Sequence, residues 1–338
     1  MIFILVFLTA LVLALALTPL ATLLSARTGA VDVPSPRRVN LKPMPSFGGL
    51  PVFFAFFVAV CVSLMYPRTD PNEPTRLAGL LLGSALMFIV GAYDDYHELR
   101  ATPQLVAQFL AACIAVASGV LIREIPNPFG GTFVFETWFA VAFTLFWLMG
   151  MMNTINWLDG LDGLAAGVVV IAGIVMIVHT IELNQLSIAL LAIALVGTLL
   201  GFLPFNFFPA KIFLGTAGAL TLGFIVGNLS VIGGAKVATA LLVLAIPILD
   251  VAWQIFNRLR AHRSPFSADR GHLHHRLLDL GISQRTIVTG YYVFTACFGV
   301  LALILPSGIY KLIALLIIGA GALLLLVKLG SKMEKPRG

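Results

Sequence analysis

Apolar residues run in stretches of about 20 along the chain, each closed by a short polar or charged connection, without the strict alternation of half-buried strands. About 20 such residues in a helix cross roughly 30 Å of hydrocarbon. The pattern predicts spans near 2–24, 47–66, 77–93, 104–122, 137–155, 162–181, 186–204, 213–232, 237–256, 286–305 and 308–328. Backbone polar groups in lipid must be satisfied within the segment, and the short alternating strands of a closed barrel are missing from the pattern. The expected fold is therefore all-α, a polytopic transmembrane helical bundle of about 11 spans forming one integral-membrane domain over residues 1–338. The first run lacks the basic start and small-residue cleavage site of a signal peptide and reads as a retained helix.

Composition agrees with this reading. Hydrophobic residues make up 59% of the 338 positions and charged residues 11%, against about 25% charged in a soluble domain, so the chain cannot cover itself with a polar surface. Positive charge is retained on the cytoplasmic side of a membrane. With the N-terminus outside, 16 of the 21 Lys and Arg fall in cytoplasmic connections or the tail, and 5 fall outside. This predicts an outer N-terminus and a cytoplasmic C-terminus; the membrane expected is the plasma (inner) membrane. The net charge of +6 then reports orientation and contact with anionic membrane lipids, not nucleic acid. Cys61, Cys113 and Cys297 lie in apolar runs and read as packing residues, with no disulfide or metal framework.

The acidic residues are more informative. Asp94 and Asp95 sit in "VGAYDDYHELR", where the third span reaches the cytoplasm. Asp159 and Asp162 sit in "NTINWLDGLDGLAAG", between the fifth and sixth spans, with Asn153 and Asn156 just before them. Asp250 lies near the inner end of the ninth span. An Asp at a helix end is often a cap, and Asp159 or Asp162 would serve the sixth helix so. Adjacent carboxylates at the edge of hydrocarbon are costly, however, and usually line a polar cavity. The "DGLDG" spacing in apolar surroundings reads as a helix break of the kind that lines sites. Asp250 alone supports either reading. His97 and His179 read as structural.

Three of the six histidines, His272, His274 and His275, crowd into the short loop "GHLHHR". With Arg270 and Arg276 they form a donor-rich segment that suits phosphates. Zinc is the competing reading, but it wants a fourth ligand and no cysteine lies nearby. Carboxylates and amides suited to a divalent cation, beside a basic loop suited to a diphosphate, describe phosphoryl chemistry on a lipid. Magnesium characteristically takes one or two protein carboxylates plus substrate phosphates.

The ordered motifs "DDYHEL", "NTINWLDGLDGLAAG", "FLGTAGAL" and "DRGHLHHRLLDLG" resemble those of the polyprenyl-phosphate N-acetylhexosamine-1-phosphate transferases (glycosyltransferase family 4). That superfamily includes the undecaprenyl-phosphate GlcNAc-1-phosphate transferases of O-antigen and teichoic acid synthesis and the MurNAc-pentapeptide transferase of peptidoglycan synthesis. The "HLHH" form is more similar to the GlcNAc branch than to the peptidoglycan branch, where three consecutive histidines are usual. The resemblance implies that UDP-GlcNAc or a related UDP-sugar and undecaprenyl phosphate give undecaprenyl-diphosphate-sugar and UMP, with magnesium or manganese. It implies that Asp94 and Asp95 flank the lipid phosphate, with Asp94 removing or positioning its proton, and that Asp159 shares the catalytic floor. It also implies that Asn156 ligates the metal, and that Asn153, Asp162, Arg270, His272, His274, His275 and Lys42 bind substrate. A membrane homodimer would be unsurprising.

The chain departs from the family pattern at three polar positions. Thr216 in "FLGTAGAL" stands where the family has a metal-ligating aspartate, Gln104 where it usually has a lysine, and Asn40 where it often has a histidine. Candidates to supply the missing carboxylate are Asp95, Asp159 and Asp250; candidates for the missing cation are Arg100 and Lys42. A catalytically weak relative that binds without turnover is the alternative these departures favour. A transporter would need paired charges deep in the spans or an internal repeat, and the polar residues instead gather at one face.

Overall fold

The computed structural model describes residues 1–34, 40–127, 129–232, 237–264, 271–305 and 308–333. Arg270 lies outside the described residues, as do Arg37, Arg38, Lys236, Lys335 and Arg337 of the orientation argument.

The chain runs through α1 (Ile2–Thr28), a small antiparallel pair β1 (Val31–Asp32) and β2 (Met44–Pro45), α2 (Gly49–Ser63), α3 (Glu73–His97) and α4 (Ala101–Ala117). A hairpin of β3 (Glu124–Pro126) and β4 (Thr132–Val134) leads to α5 (Thr137–Leu158), α6 (Leu164–Glu182), α7 (Leu186–Asn206) and α8 (Gly215–Leu229). Then come α9 (Val237–Val243), α10 (Ala245–Arg260), α11 (Leu273–Asp279), α12 (Gln284–Ile304) and α13 (Gly308–Met333). About 75% of the described residues are helical, which makes the class all-α. Among the described residues six helices, α1, α3, α5, α6, α7 and α12, are long and apolar enough to cross a bilayer. The segments 49–63, 101–117, 215–229 and 309–321 are shorter apolar helices, and α9 with α10 passes the same test as a bent pair. The protein is a polytopic helical membrane protein.

Helix α7 has 83% of its apolar window enclosed, whereas α1 has 22%, so α7 belongs to the core and α1 to the rim. Rim residues such as Ile4, Leu8 and Val12 are exposed while Val6, Ala10 and Ala14 face inward, the apolar exterior that suits lipid rather than water. Helix α8 is buried almost throughout, from Ala217 to Leu229, as expected of a helix apolar on all sides. It packs against α3 and α5. A Cβ on Gly91 of α3 would lie 2.4 Å from the Ala217 Cα, so only glycine admits this approach; Asp95 follows one turn later.

Four expectations need correction. The ninth segment is not one straight span: α9 and α10 meet at an 81° bend. Pro247 occupies the first turn of α10, where its missing N–H is tolerated, and it cannot donate to the Val243 carbonyl, so no continuous ladder runs through. The histidine segment is not a loop, because His274 and His275 belong to α11, with His272 at its N-cap. Neither Asp159 nor Asp162 caps α6; its N-cap is Gly163, with φ 76° and no side-chain hydrogen bond. Cys61 and Cys297 are exposed on the bundle's exterior rather than packed in its core, and all three cysteines are free.

Candidate active site

The C-terminal ends of α3 and α5 and the N-terminal end of α8 surround a cavity of about 320 Å³, within the range that holds small ligands. Asp94, Asp95, Asn156, Asp159, Asp162, Thr216 and His275 all line it. Residues from four separate sequence motifs therefore meet in one space.

The acidic pair at the end of α3 is divided in its partners. Asp94 Oδ1 accepts from the Leu99 N–H at 2.7 Å and from Gln104 Nε2 at 2.7 Å. Gln104 thus supplies a neutral donor to Asp94 where the family pattern has a lysine. Asp95 accepts from the Thr216 N–H at 2.7 Å through Oδ1 and from the Ala217 N–H at 3.1 Å through Oδ2. The two backbone N–H groups at the start of α8 thereby find acceptors on separate oxygens, where the helix dipole favours negative charge.

The turn between α5 and α6 supplies the floor. The Asp159 N–H donates to the Ile155 carbonyl at 3.2 Å, while its carboxyl group makes no hydrogen bond or ion pair among the described residues. Burial, then the charges of Asp95 and Asp162, push its pKa up to about 8. Burial also raises the Asp162 carboxyl, opposed by the bond its Oδ2 accepts from the Ala210 N–H at 2.9 Å. Asn156 lines the cavity, but Asn153 does not. Asn153 instead pairs with Gln108 of α4, donating through Nδ2 to Gln108 Oε1 at 2.6 Å and to the Met149 carbonyl at 2.8 Å.

The histidine segment closes the opposite side. His274 is buried, and neither ring nitrogen has a hydrogen-bond partner among the described residues. Burial first, then His275 and His272, hold its pKa well below the usual histidine value, so it is neutral at pH 7. Orphaned buried polar groups are rare and call for a ligand or water. A Cβ on Gly160 would lie 2.2 Å from His274 Nε2; the glycine lets the ring pack behind the floor, so that of the three histidines His275 lines the cavity while His272 and His274 lie behind it. His272 Nδ1 lies 2.9 Å from Asp250 Oδ2, and the Leu273 N–H donates to Asp250 Oδ1 at 3.0 Å.

Lys42 is exposed and does not line the cavity, and neither does Arg100, the N-cap of α4. Asn40 does line it, while its Nδ2 donates to the Asp32 and Lys42 carbonyls at 2.9 and 3.0 Å. Of the three candidates for a missing carboxylate, Asp250 is committed to the histidine segment and Asp95 to α8, which leaves Asp159. Gly160, Gln254 and Trp157 were not singled out by the sequence. The signal for Gln254 was its place four residues after Asp250 and four before Arg258, on one face of the helix.

The profile of glycosyl transferase family 4 matches residues 77–234. A probable undecaprenyl-phosphate N-acetylglucosaminyl 1-phosphate transferase of Bacillus subtilis (strain 168) is 34% identical, over 89% of this chain and 84% of the relative. The decaprenyl-phosphate N-acetylglucosaminephosphotransferase of Mycobacterium tuberculosis (strain H37Rv) is 31% identical, over 98% of this chain and 91% of its own length. The undecaprenyl-phosphate alpha-N-acetylglucosaminyl 1-phosphate transferase of Yersinia pestis is 29% identical over 77% of this chain and 72% of its own.

Proposed function

This chain belongs to glycosyl transferase family 4, and on that premise we propose that it transfers GlcNAc-1-phosphate from UDP-GlcNAc to undecaprenyl phosphate, releasing UMP. The observation that carries the reading is the convergence of Asp94, Asn156, Asp159 and His275 on one cavity at the ends of apolar helices, with His274 packed behind its floor. A phosphate oxygen of the lipid attacks the phosphorus that bears the sugar. The bond from that phosphorus to the bridging oxygen breaks, and UMP leaves with the electron pair. The protein aligns nucleophile and leaving group and offsets the developing charge.

Asp94 positions the lipid phosphate, its carboxylate fixed by Leu99 and Gln104. His272, His274, His275 and Arg270 bind the donor's diphosphate, Asp162 supports the nucleotide side, Asn153 braces α5 against α4 through Gln108, and Lys42 attracts substrate from the rim. Oxygen donors at Asp159 and Asn156 suit a hard divalent cation, and the unbonded Asp159 carboxylate, deep beside other acidic groups, needs a cation to carry its charge. These two residues would hold magnesium, with manganese as its substitute, and the ion would neutralise charge on the diphosphate. We place the cavity on the cytoplasmic face, with eleven spans, an outer N-terminus and a single domain over residues 1–338, on the asymmetry of Lys and Arg.

The test is UMP release by the purified protein in detergent, given undecaprenyl phosphate and UDP-GlcNAc with and without magnesium, beside His274→Ala. Magnesium-dependent release that His274→Ala abolishes is the expected result. Thr216 favours one other reading, a relative that binds without turnover; UDP-GlcNAc binding with no UMP release would establish it.

A further inference from the structure

Helix α10 carries three polar side chains at four-residue steps, Asp250, Gln254 and Arg258, and all three are buried, between 3% and 5% exposed. Residues at this spacing share one face of a helix, and burial of polar groups is costly unless each is bonded. Their contacts converge on the histidine segment. Gln254 Nε2 donates to the Gly271 carbonyl, which also accepts from Arg276 Nε at 2.6 Å. The Arg258 guanidinium lies 5.3 Å over the Trp157 ring, and that ring lies 5.6 Å from His272. Asp250 takes His272 Nδ1 on one oxygen at 2.9 Å and the Leu273 N–H on the other at 3.0 Å. His272 is thus held by a carboxylate through Nδ1 and flanked by an indole. Its ring is nearly parallel to that of His274, 5.9 Å away with 9° between planes.

A neutral imidazole has one donor and one acceptor nitrogen, and the bond made by one nitrogen decides the role of the other. An Asp250 carboxylate only accepts, so Nδ1 carries a proton and Nε2 is the nitrogen left for a ligand; a diphosphate oxygen also only accepts, so binding it takes a second proton on Nε2, and the imidazolium so formed is held by the Asp250 carboxylate. We propose that Asp250 is a positioning residue for nucleotide-sugar binding. It fixes both the ring of His272 and the backbone at Leu273, and through them the placement of His274 and His275 at the cavity. The inference deepens the reading above and rests on it, since the ligand of the histidines is the diphosphate of a UDP-sugar.

The experiment measures KM and kcat for UDP-GlcNAc with full-length protein in detergent for the unaltered chain, Asp250→Asn, Asp250→Glu, His272→Ala and the double variant. In Asp250→Asn one oxygen must serve two donors, and one buried donor loses its acceptor. The expected result is a KM raised about ten-fold, the scale of one such loss, with kcat changed much less and partial recovery in Asp250→Glu. The double variant should be no worse than His272→Ala, because the effect passes through that ring. Additive losses, or a fall in kcat with KM unchanged, would overturn the proposal. If Asp250→Asn does not fold, the ring 15N shifts of His272 in the unaltered protein decide: a protonated Nδ1 supports the role, and a bare Nδ1 removes it. An unaltered protein that folds but binds no UDP-GlcNAc would defeat the parent reading, and this one with it, whatever the variants do.

Discussion

Asp95 Oδ1 accepts the Thr216 N–H at 2.7 Å, and this bond ties the end of α3 to the start of α8. Two adjacent aspartates thereby acquire different tasks: Asp95 holds a helix terminus, while Asp94 is held in place beside the cavity.

Asp95→Ala should therefore act on stability. It leaves two helix N–H groups without their acceptor, a loss of about 1–2 kcal/mol on the scale of N-caps, or about 2–4 °C in a thermal melt. Asp94→Asn should leave the melt nearly unchanged and cut turnover by roughly a hundredfold, the scale of a lost acid–base or positioning group. Thermal unfolding and UMP release on the same preparations separate the two. Equal melting losses for both variants would refute the division.

Thr216→Asp should tighten magnesium binding. The new carboxylate would stand beside Asp95, an arrangement of like charges that is unfavourable unless a cation lies between them. The variant should melt lower than the unaltered protein without magnesium and recover with it, and half-saturation should come at a several-fold lower magnesium concentration. Unchanged or weaker magnesium dependence would show that Thr216 does not weaken the metal site.

Legibility of the sequence differed by the kind of signal. The apolar runs are each long enough to specify a helix, so the helical membrane class followed from them. The bend at Leu244 did not, because Pro247 interrupts the hydrogen-bond ladder without interrupting the apolar pattern. The four motifs lie far apart in sequence, and their types and order pointed to one site that the fold then assembles. Partner choice was not readable. Asp95, Asp250 and Asn153 are polar residues near functional motifs, but their bonds run to α8, His272 and Gln108, which only packing between separate helices determines. Gly160 shows the same limit, since its need for a missing side chain comes from a histidine more than a hundred residues away.

Asp159 predicts a pH dependence. Burial and its acidic neighbours raise its pKa from 3.8 to about 8, so at pH 7 without metal it is mostly protonated. A cation needs the charged form, so magnesium affinity should rise as pH passes from 7 to 9, and loading should release a proton. The sign for stability is opposite in the metal-free protein. The folded state holds the proton more tightly than the unfolded chain, so this contribution is fully present below about pH 4 and is lost progressively as pH rises toward about 8. Calorimetry in buffers of different ionisation enthalpy reads the proton released. Asp159→Asn should abolish that release, and a release that persists would assign the proton to another group.

Gly160→Ala tests the contact between the floor and the histidine segment. The added methyl would lie 2.2 Å from His274 Nε2 and 3.0 Å from its Cδ2, closer than packed atoms approach, so the imidazole must turn away. The backbone at Gly160 does not require a glycine conformation, because its φ is outside the positive range, so the damage should fall on the ring and not on the turn. The expected outcome is a KM for UDP-GlcNAc raised at least ten-fold with the melting temperature lowered by no more than a few degrees. Gly160→Ala combined with His274→Ala should recover the thermal loss, because the smaller side chain makes room for the methyl, while binding stays weak. If the single variant bound UDP-GlcNAc normally, His274 would not need this position, and its two unpartnered nitrogens would call for another explanation.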